Sequence, residues 1–247
     1  MGPHLHRVLA ALLLLSAVAP EVRAADRADT ALVLAVDVSG TVDPRRYGLQ
    51  MEGVARALED RDVQLALLSG PYGAVALVLV EWSTRARVAV PWTVISREED
   101  ARAFARRVRA APRIDDQFTC MSAALEYVRS KVLTQLSVPA NRTIIDVSGD
   151  GHDNCNPDAP VDAVRDALVS DGVMINGLPI LEGDEADTLE GWYRDHVIGG
   201  PSAFLLPAHG FDDFERAMRQ KFVIEISWWR ASSELVTAAA ERYTKLH

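Results

Sequence analysis

The sequence predicts an α/β fold of three layers, with a mostly parallel six-stranded sheet, one antiparallel edge strand and helices on both faces. Short apolar runs at residues 31–38, 74–82, 142–148 and 173–180 have the composition of strands buried on both faces. They alternate with longer segments of helical periodicity, the order produced by parallel strands joined through crossover helices. Residues 86–92 begin only three residues after the second run. That gap is too short for a crossover, so this strand must fold back as a hairpin partner.

Residues 1–24 stand outside this pattern. Arg7 gives a positive start, residues 8–19 are mostly apolar, and Pro20 breaks the run. Val22-Arg23-Ala24 then places small residues at cleavage spacing, as in a secretory signal peptide cut after Ala24. The run is too short to span a hydrocarbon core of about 30 Å. No later stretch is both long and uncharged enough to span one. The expectation is an exported chain, periplasmic or secreted, whose domain occupies residues 25–228 and whose tail occupies 229–247.

Each element follows in order. Residues 31–38 form the first strand. Residues 44–68 read as one helix, with Tyr47, Met51, Val54 and Leu58 on a single stripe. Gly70-Pro71-Tyr72-Gly73 turns the chain into the second strand, 74–82, and 86–92 is the third. Residues 97–111 make a charged surface helix whose arginines are balanced by Glu98, Glu99 and Asp100. A loop with Pro112 and Asp115-Asp116 leads into a helix at 119–136. The strand at 142–148 ends in Gly149-Asp150-Gly151. A helix at 160–170, a strand at 173–180 and a helix at 185–196 follow, closed by Gly199-Gly200. A sixth strand is expected at 203–207 and a last helix at 211–226. Asp212, Asp213 and Glu215 suit the N-terminal dipole of that helix. From Trp228 onward only one weak helical stripe remains, Leu235, Ala239 and Tyr243. No repeat or low-complexity linker divides the chain, so one monomeric domain is expected.

The chain has 247 residues and a formal net charge of −9. Loss of residues 1–24 would make it one unit more negative. Such a balance argues against nucleic acid or an anionic membrane surface as partner, since both need basic patches. The length suits one α/β domain with a sizeable core.

The chemistry concentrates where strands end. Asp37-Val38-Ser39-Gly40-Thr41 places a carboxylate and two hydroxyls at alternate positions as the first strand enters a loop. Oxygen donors of this kind are what Mg²⁺ and Ca²⁺ prefer. Thr119 opens a helix, and Asp150 follows the fourth strand, so all five side chains can meet at the carboxyl edge of the sheet, where sites in open α/β sheets lie. Capping of the next helix is the plainer role for Asp37 and Ser39.

In this order and spacing the residues resemble the von Willebrand factor type A (vWA) domain, a Rossmann-like fold. Its metal-ion-dependent adhesion site uses Asp-x-Ser-x-Ser/Thr, a middle-loop Thr and an Asp after the fourth strand. The matches are Asp37, Ser39, Thr41, Thr119 and Asp150. Several phrases are also similar to a bacterial exported family of unknown function, DUF1194. These are Val80-Glu81-Trp82-Ser83, Ile145-Asp146-Val147-Ser148-Gly149-Asp150-Gly151, Ile175-Asn176-Gly177-Leu178-Pro179-Ile180 and Val197-Ile198-Gly199-Gly200-Pro201. The resemblance implies a divalent cation, Mg²⁺ first and Mn²⁺ or Ca²⁺ as alternatives. Ser39 and Thr41 would ligate it directly, and Asp37, Asp150 and Thr119 directly or through water. An open position would accept a carboxylate from an unidentified protein partner presenting Asp or Glu.

Two other functions fit parts of the pattern. One is a structural interaction module whose metal site is vestigial. The other is a haloacid-dehalogenase-like phosphatase, with Asp37 as nucleophile, Asp150 as Mg²⁺ ligand, Ser83 as the hydroxyl residue and Lys131 as the lysine. Ser39 stands where those enzymes carry a general acid and base, and a serine cannot exchange a proton near neutral pH. No catalytic role is therefore expected.

Cys120 and Cys155 are the only cysteines. An even count in an exported chain points to one disulfide, worth on the order of 3–4 kcal/mol in the chain-entropy model. It would lie beside Thr119 and Asp150. A zinc site of Cys120, Cys155 and His152 is the lesser alternative, lacking a paired-cysteine spacing. Trp82, Trp92 and Phe104 are expected in packing, and His196 and His209 in packing or solvent.

Overall fold

The computed structural model describes residues 25–113, 117–155 and 160–227. The expected signal segment and the tail from Trp228 lie outside the described residues.

Five strands form the sheet: β1 (Thr30–Asp37), β2 (Val75–Trp82), β3 (Ala86–Ile95), β4 (Thr143–Gly149) and β5 (Val173–Pro179). Their spatial order is β3-β2-β1-β4-β5. All neighbours run parallel except β2 and β3, which form the expected hairpin. β3 runs three residues further than its apolar pattern indicated. Exposed Pro91, which cannot donate to a ladder, falls where the pairing register shifts from Leu77↔Thr93 to Leu79↔Val90.

Alternate residues of β1 serve two cores, as the period of two requires. Leu32, Leu34 and Val36 face helices α1 (Pro44–Glu59), α2 (Arg61–Leu67), α3 (Glu98–Ala110) and α7 (Phe214–Ile226). Val33 and Ala35 face α4 (Met121–Tyr127), α5 (Val161–Ser170) and α6 (Ala186–Trp192). Trp82 and Phe104 are fully buried, and Trp92 is partly buried with its indole N–H donated to the Val132 carbonyl at 2.9 Å.

Three expectations change. The helix expected at 44–68 is two helices, because Asp60 both ends α1 and caps α2, accepting the N–H groups of Asp62 and Val63 at 2.9 and 3.2 Å. The helix at 119–136 starts at Met121 and loosens into a π turn (Val128–Val132) and a 3₁₀ turn (Leu133–Gln135). The sixth strand at 203–207 is absent. Its residues make only isolated bridges to β5, such as Gly177↔Leu205. The Asn176 side chain takes the Phe204 N–H at 3.0 Å, Ser202 is left-handed at φ 65°, and Pro207 has no N–H to give.

Candidate metal centre

Asp37 is the last residue of β1 and has no solvent exposure. Its Oδ1 accepts the Ser39 N–H at 2.8 Å, which closes a tight turn and brings the Ser39 hydroxyl back over the strand end. Gln50 of α1, also fully buried, donates to the Asp37 carbonyl at 3.0 Å. Asp43 then caps α1 by accepting the Arg46 N–H at 2.8 Å, and Pro44 occupies the first turn. One eight-residue stretch thus ends a strand, makes the loop and starts the helix.

The other two segments close on this loop. Gly40 donates its N–H to the Gln117 carbonyl at 3.2 Å, and a Cβ at Gly40 would meet that oxygen at 3.1 Å. This contact brings Thr119 Oγ1 to 3.4 Å from Ser39 Oγ. Ser39 Oγ lies 3.5 Å from Thr41 Oγ1, and Thr41 donates to Asp150 Oδ1 at 2.7 Å. All five residues singled out in the sequence therefore form one connected group. Asp37, Ser39, Thr119 and Asp150 are buried, and Thr41 is exposed at its outer edge.

The electrostatics of the group are uneven. Asp37 Oδ2 is buried with no hydrogen-bond partner. Burial, and then the nearby Asp150 carboxylate, raise the Asp37 pKa to about 7. Burial also raises that of Asp150, against the Thr41 hydrogen bond and the Arg46 charge. Arg46 lies 4.0 Å from Asp150 Oδ2 but is bonded to the Thr41 carbonyl and to Glu182, at 2.6 and 2.8 Å. It braces the loop, and the Asp37 carboxylate is offset only in part, by hydrogen bonds from Ser39 and the Asp150 backbone.

Several contributors were not legible in the sequence. Tyr193, in the π turn Tyr193–Val197 after α6, is fully buried with its hydroxyl unpaired. A Cβ at Gly149 would stand 2.9 Å from both that hydroxyl and Asp37 Oδ2, so glycine keeps this floor open. Tyr193 falls within the helix expected at 185–196 and carries no local signal. Gln50 and Arg46 were equally silent, being ordinary residues of an amphipathic helix.

Cys120 and Cys155 are joined by a disulfide with Cα atoms 4.9 Å apart. This excludes the zinc alternative, whose thiolates are consumed. His152 stacks on Trp192 at 5.1 Å, and His196 Nδ1 lies 3.0 Å from Asp162 Oδ1. Lys131, which the phosphatase alternative needs beside Asp37, is exposed in the π turn Val128–Val132, at the end of α4 remote from Thr119.

A family model described as a protein of unknown function, DUF1194, matches residues 27–229. The chain belongs to that family. No curated protein matches the DUF1194 chain. Among solved structures it is similar to proximal thread matrix protein 1 from the mussel byssus, in a form with a zinc-occupied metal-ion-dependent adhesion motif. The TM-score is 0.59 and the identity 15%, covering 83% of this chain and 47% of that one. A von Willebrand factor type A protein from Catenulispora acidiphila gives 0.56 at 15% identity, covering 79% and 42%. The vWF domain of the type V pili tip protein Mfa5 from Porphyromonas gingivalis gives 0.55 at 10% identity, covering 81% and 97%. The DUF1194 chain thus has a vWA-type fold and spans less than half of the first two of these proteins.

Proposed function

We propose that this protein is an exported adhesion-type module that binds a divalent cation through Asp37, Ser39, Thr41, Thr119 and Asp150, and uses it to engage a partner protein through an Asp or Glu side chain. The observation that carries this reading is the buried, unpaired Asp37 Oδ2 beside a second buried carboxylate. Ionising Asp37 beside Asp150 in this buried place is costly unless a cation offsets the charge. Three hydroxyl oxygens lie in the same group, and hard divalent cations take oxygen donors. Mg²⁺ is the first candidate, with Mn²⁺ and Ca²⁺ behind it. The cation would supply a Lewis-acidic position for a carboxylate, while the protein's own part is to hold its oxygens and exclude bulk water behind them. The disulfide and the composition of residues 1–24 support export.

Affinity capture from a cell-envelope extract tests the partner. The same proteins should be retained by the wild type in Mg²⁺ and lost both with chelator and with Asp37→Ala. Retention that ignores chelator would instead favour a structural module without a working cation site. No hydrolysis of p-nitrophenyl phosphate with Mg²⁺ is expected, since Ser39 stands where such phosphatases carry their general acid and base.

A further inference from the structure

The two loops that carry Thr119 and Asp150 are stitched together just outside the candidate centre. Thr119 donates its N–H to the Asn154 side chain at 3.0 Å, and Asn154 returns its own N–H to the Thr119 carbonyl at 3.0 Å. Ser122 N–H goes to Asp153 Oδ2 at 2.7 Å, and Cys155 N–H to Asp153 Oδ1 at 3.1 Å. The Cys120–Cys155 bond lies across the same seam, next in sequence to Thr119. Cys120 is fully buried and donates its N–H to the Ser83 carbonyl at 3.3 Å, whereas Cys155 is exposed. No helix or strand lies between Ala110 and Met121 among the described residues, so Thr119 enters the group from a loop.

We propose that the Cys120–Cys155 disulfide is a positioning element of the cation site, holding Thr119 in register with Asp150 and thereby setting the affinity for the cation. This rests on the proposed cation site. Three backbone N–H contacts cross the seam, from Thr119, Ser122 and Asn154, and water can replace them once the loops part; the covalent link keeps the loops together. Outer-shell groups that orient ligands typically change metal affinity 10–100-fold when removed. Cys155 is also an exposed residue: attack of a dithiol on its sulfur releases the Cys120 thiolate, and closure of the dithiol to its own disulfide then releases Cys155, leaving two protein thiols. A thiol–disulfide exchange partner could thus lower the affinity of the site without touching a ligand.

The test is titration calorimetry with Mn²⁺ and Mg²⁺ on the oxidised protein, on protein reduced by dithiothreitol, and on Cys155→Ser. Val63→Ala, in the opposite core, serves as a variant destabilised away from the rim. Far-UV circular dichroism verifies that each form is folded. The expected result is a dissociation constant about tenfold or more higher in the reduced and Cys155→Ser forms, and unchanged in Val63→Ala. Equal affinity in the oxidised and reduced forms overturns the positioning role and leaves the cation site standing. A weakening in Val63→Ala equal to that in Cys155→Ser also overturns it, since loss of stability alone would then explain the effect. No binding by the oxidised protein removes both proposals. Should loss of the disulfide unfold the chain, Asn154→Ala, which removes the side-chain acceptor of the Thr119 N–H and keeps the disulfide, must hold affinity within a few-fold; a loss of about tenfold or more contradicts the role.

Discussion

Asp37 carries an energetic cost in the cation-free protein. Its carboxyl is favoured in the neutral form, with a pKa raised from 3.8 to about 7 by burial and by Asp150. The ionised form therefore costs the fold on the order of 4 kcal/mol above that pH. The unfolded chain releases this proton near pH 4 and the folded chain near pH 7. Between those values the folded state holds more protons, so stability contributed by the group is full below about pH 4 and is lost as pH rises through about 7. Cation-free protein should melt at a progressively lower temperature from pH 4.5 to 7.5. Asp146 is raised in the same direction by burial and by Glu225, so the Asp37 share is the difference between wild type and Asp37→Asn. That variant should flatten the slope, raise the melting temperature at pH 7.5 without cation, and abolish the rise produced by Mg²⁺. A variant less stable than the wild type under those conditions would show that the Asp37 charge is already compensated. In the wild type the Mg²⁺-induced shift should be larger at pH 7.5 than at pH 5, where protons compete for the same oxygen.

At the level of elements, the site depends on how strands end and helices begin. Gly149 closes β4, and any Cβ there collides with Asp37 Oδ2 and the Tyr193 hydroxyl. Gly149→Ala should cost about 1–3 kcal/mol by overpacking, read by urea denaturation, and should also weaken cation binding. Asp60→Ala removes the cap shared by α1 and α2 and should cost about 0.5–2 kcal/mol while leaving cation affinity unchanged. Four of the buried strands were legible because a strand covered on both faces must be a continuous apolar run. The five candidate residues were legible because their order and spacing resemble a vWA adhesion site; Asp37 and Ser39 alone would read as a helix cap. The break at Asp60 was hidden by the apolar stripe that continues through it, and caps compete with periodicity only by a kilocalorie or so. The sixth strand failed because its fate depends on Asn176, a side chain from another element. Tyr193 and Gln50 reach the site only through tertiary packing, which no local pattern records.

At the scale of the whole molecule, the sheet is fastened to α7 by a buried ionic group. Lys221 of α7 is fully buried, with Nζ 3.2 Å from Asp146 Oδ1 of β4 and 3.1 Å from Glu225 Oε1. Asn176 of β5 donates to the same Glu225 oxygen at 2.8 Å, and Lys221 Nζ lies 4.4 Å from the centre of the Phe204 ring. Lys221→Met leaves two buried carboxylates facing each other and should cost about 3–5 kcal/mol in urea denaturation. This group lies in the interior of the sheet and α7, whereas Asp37 and Asp150 lie at the sheet's carboxyl edge. The molecule thus gives its interior carboxylates a lysine of its own, whereas at the rim Arg46 lies 4.0 Å from Asp150 Oδ2 and Asp37 Oδ2 has no hydrogen-bond partner. The central claim is that a divalent cation offsets the charge at the rim. Titration of the folded, disulfide-bonded protein with Mg²⁺ and Mn²⁺ by calorimetry tests it most directly. One saturable site per chain is predicted, lost in both Asp37→Ala and Asp150→Ala; absence of heat and of any thermal shift in the folded wild type, or binding that survives both substitutions, would contradict it.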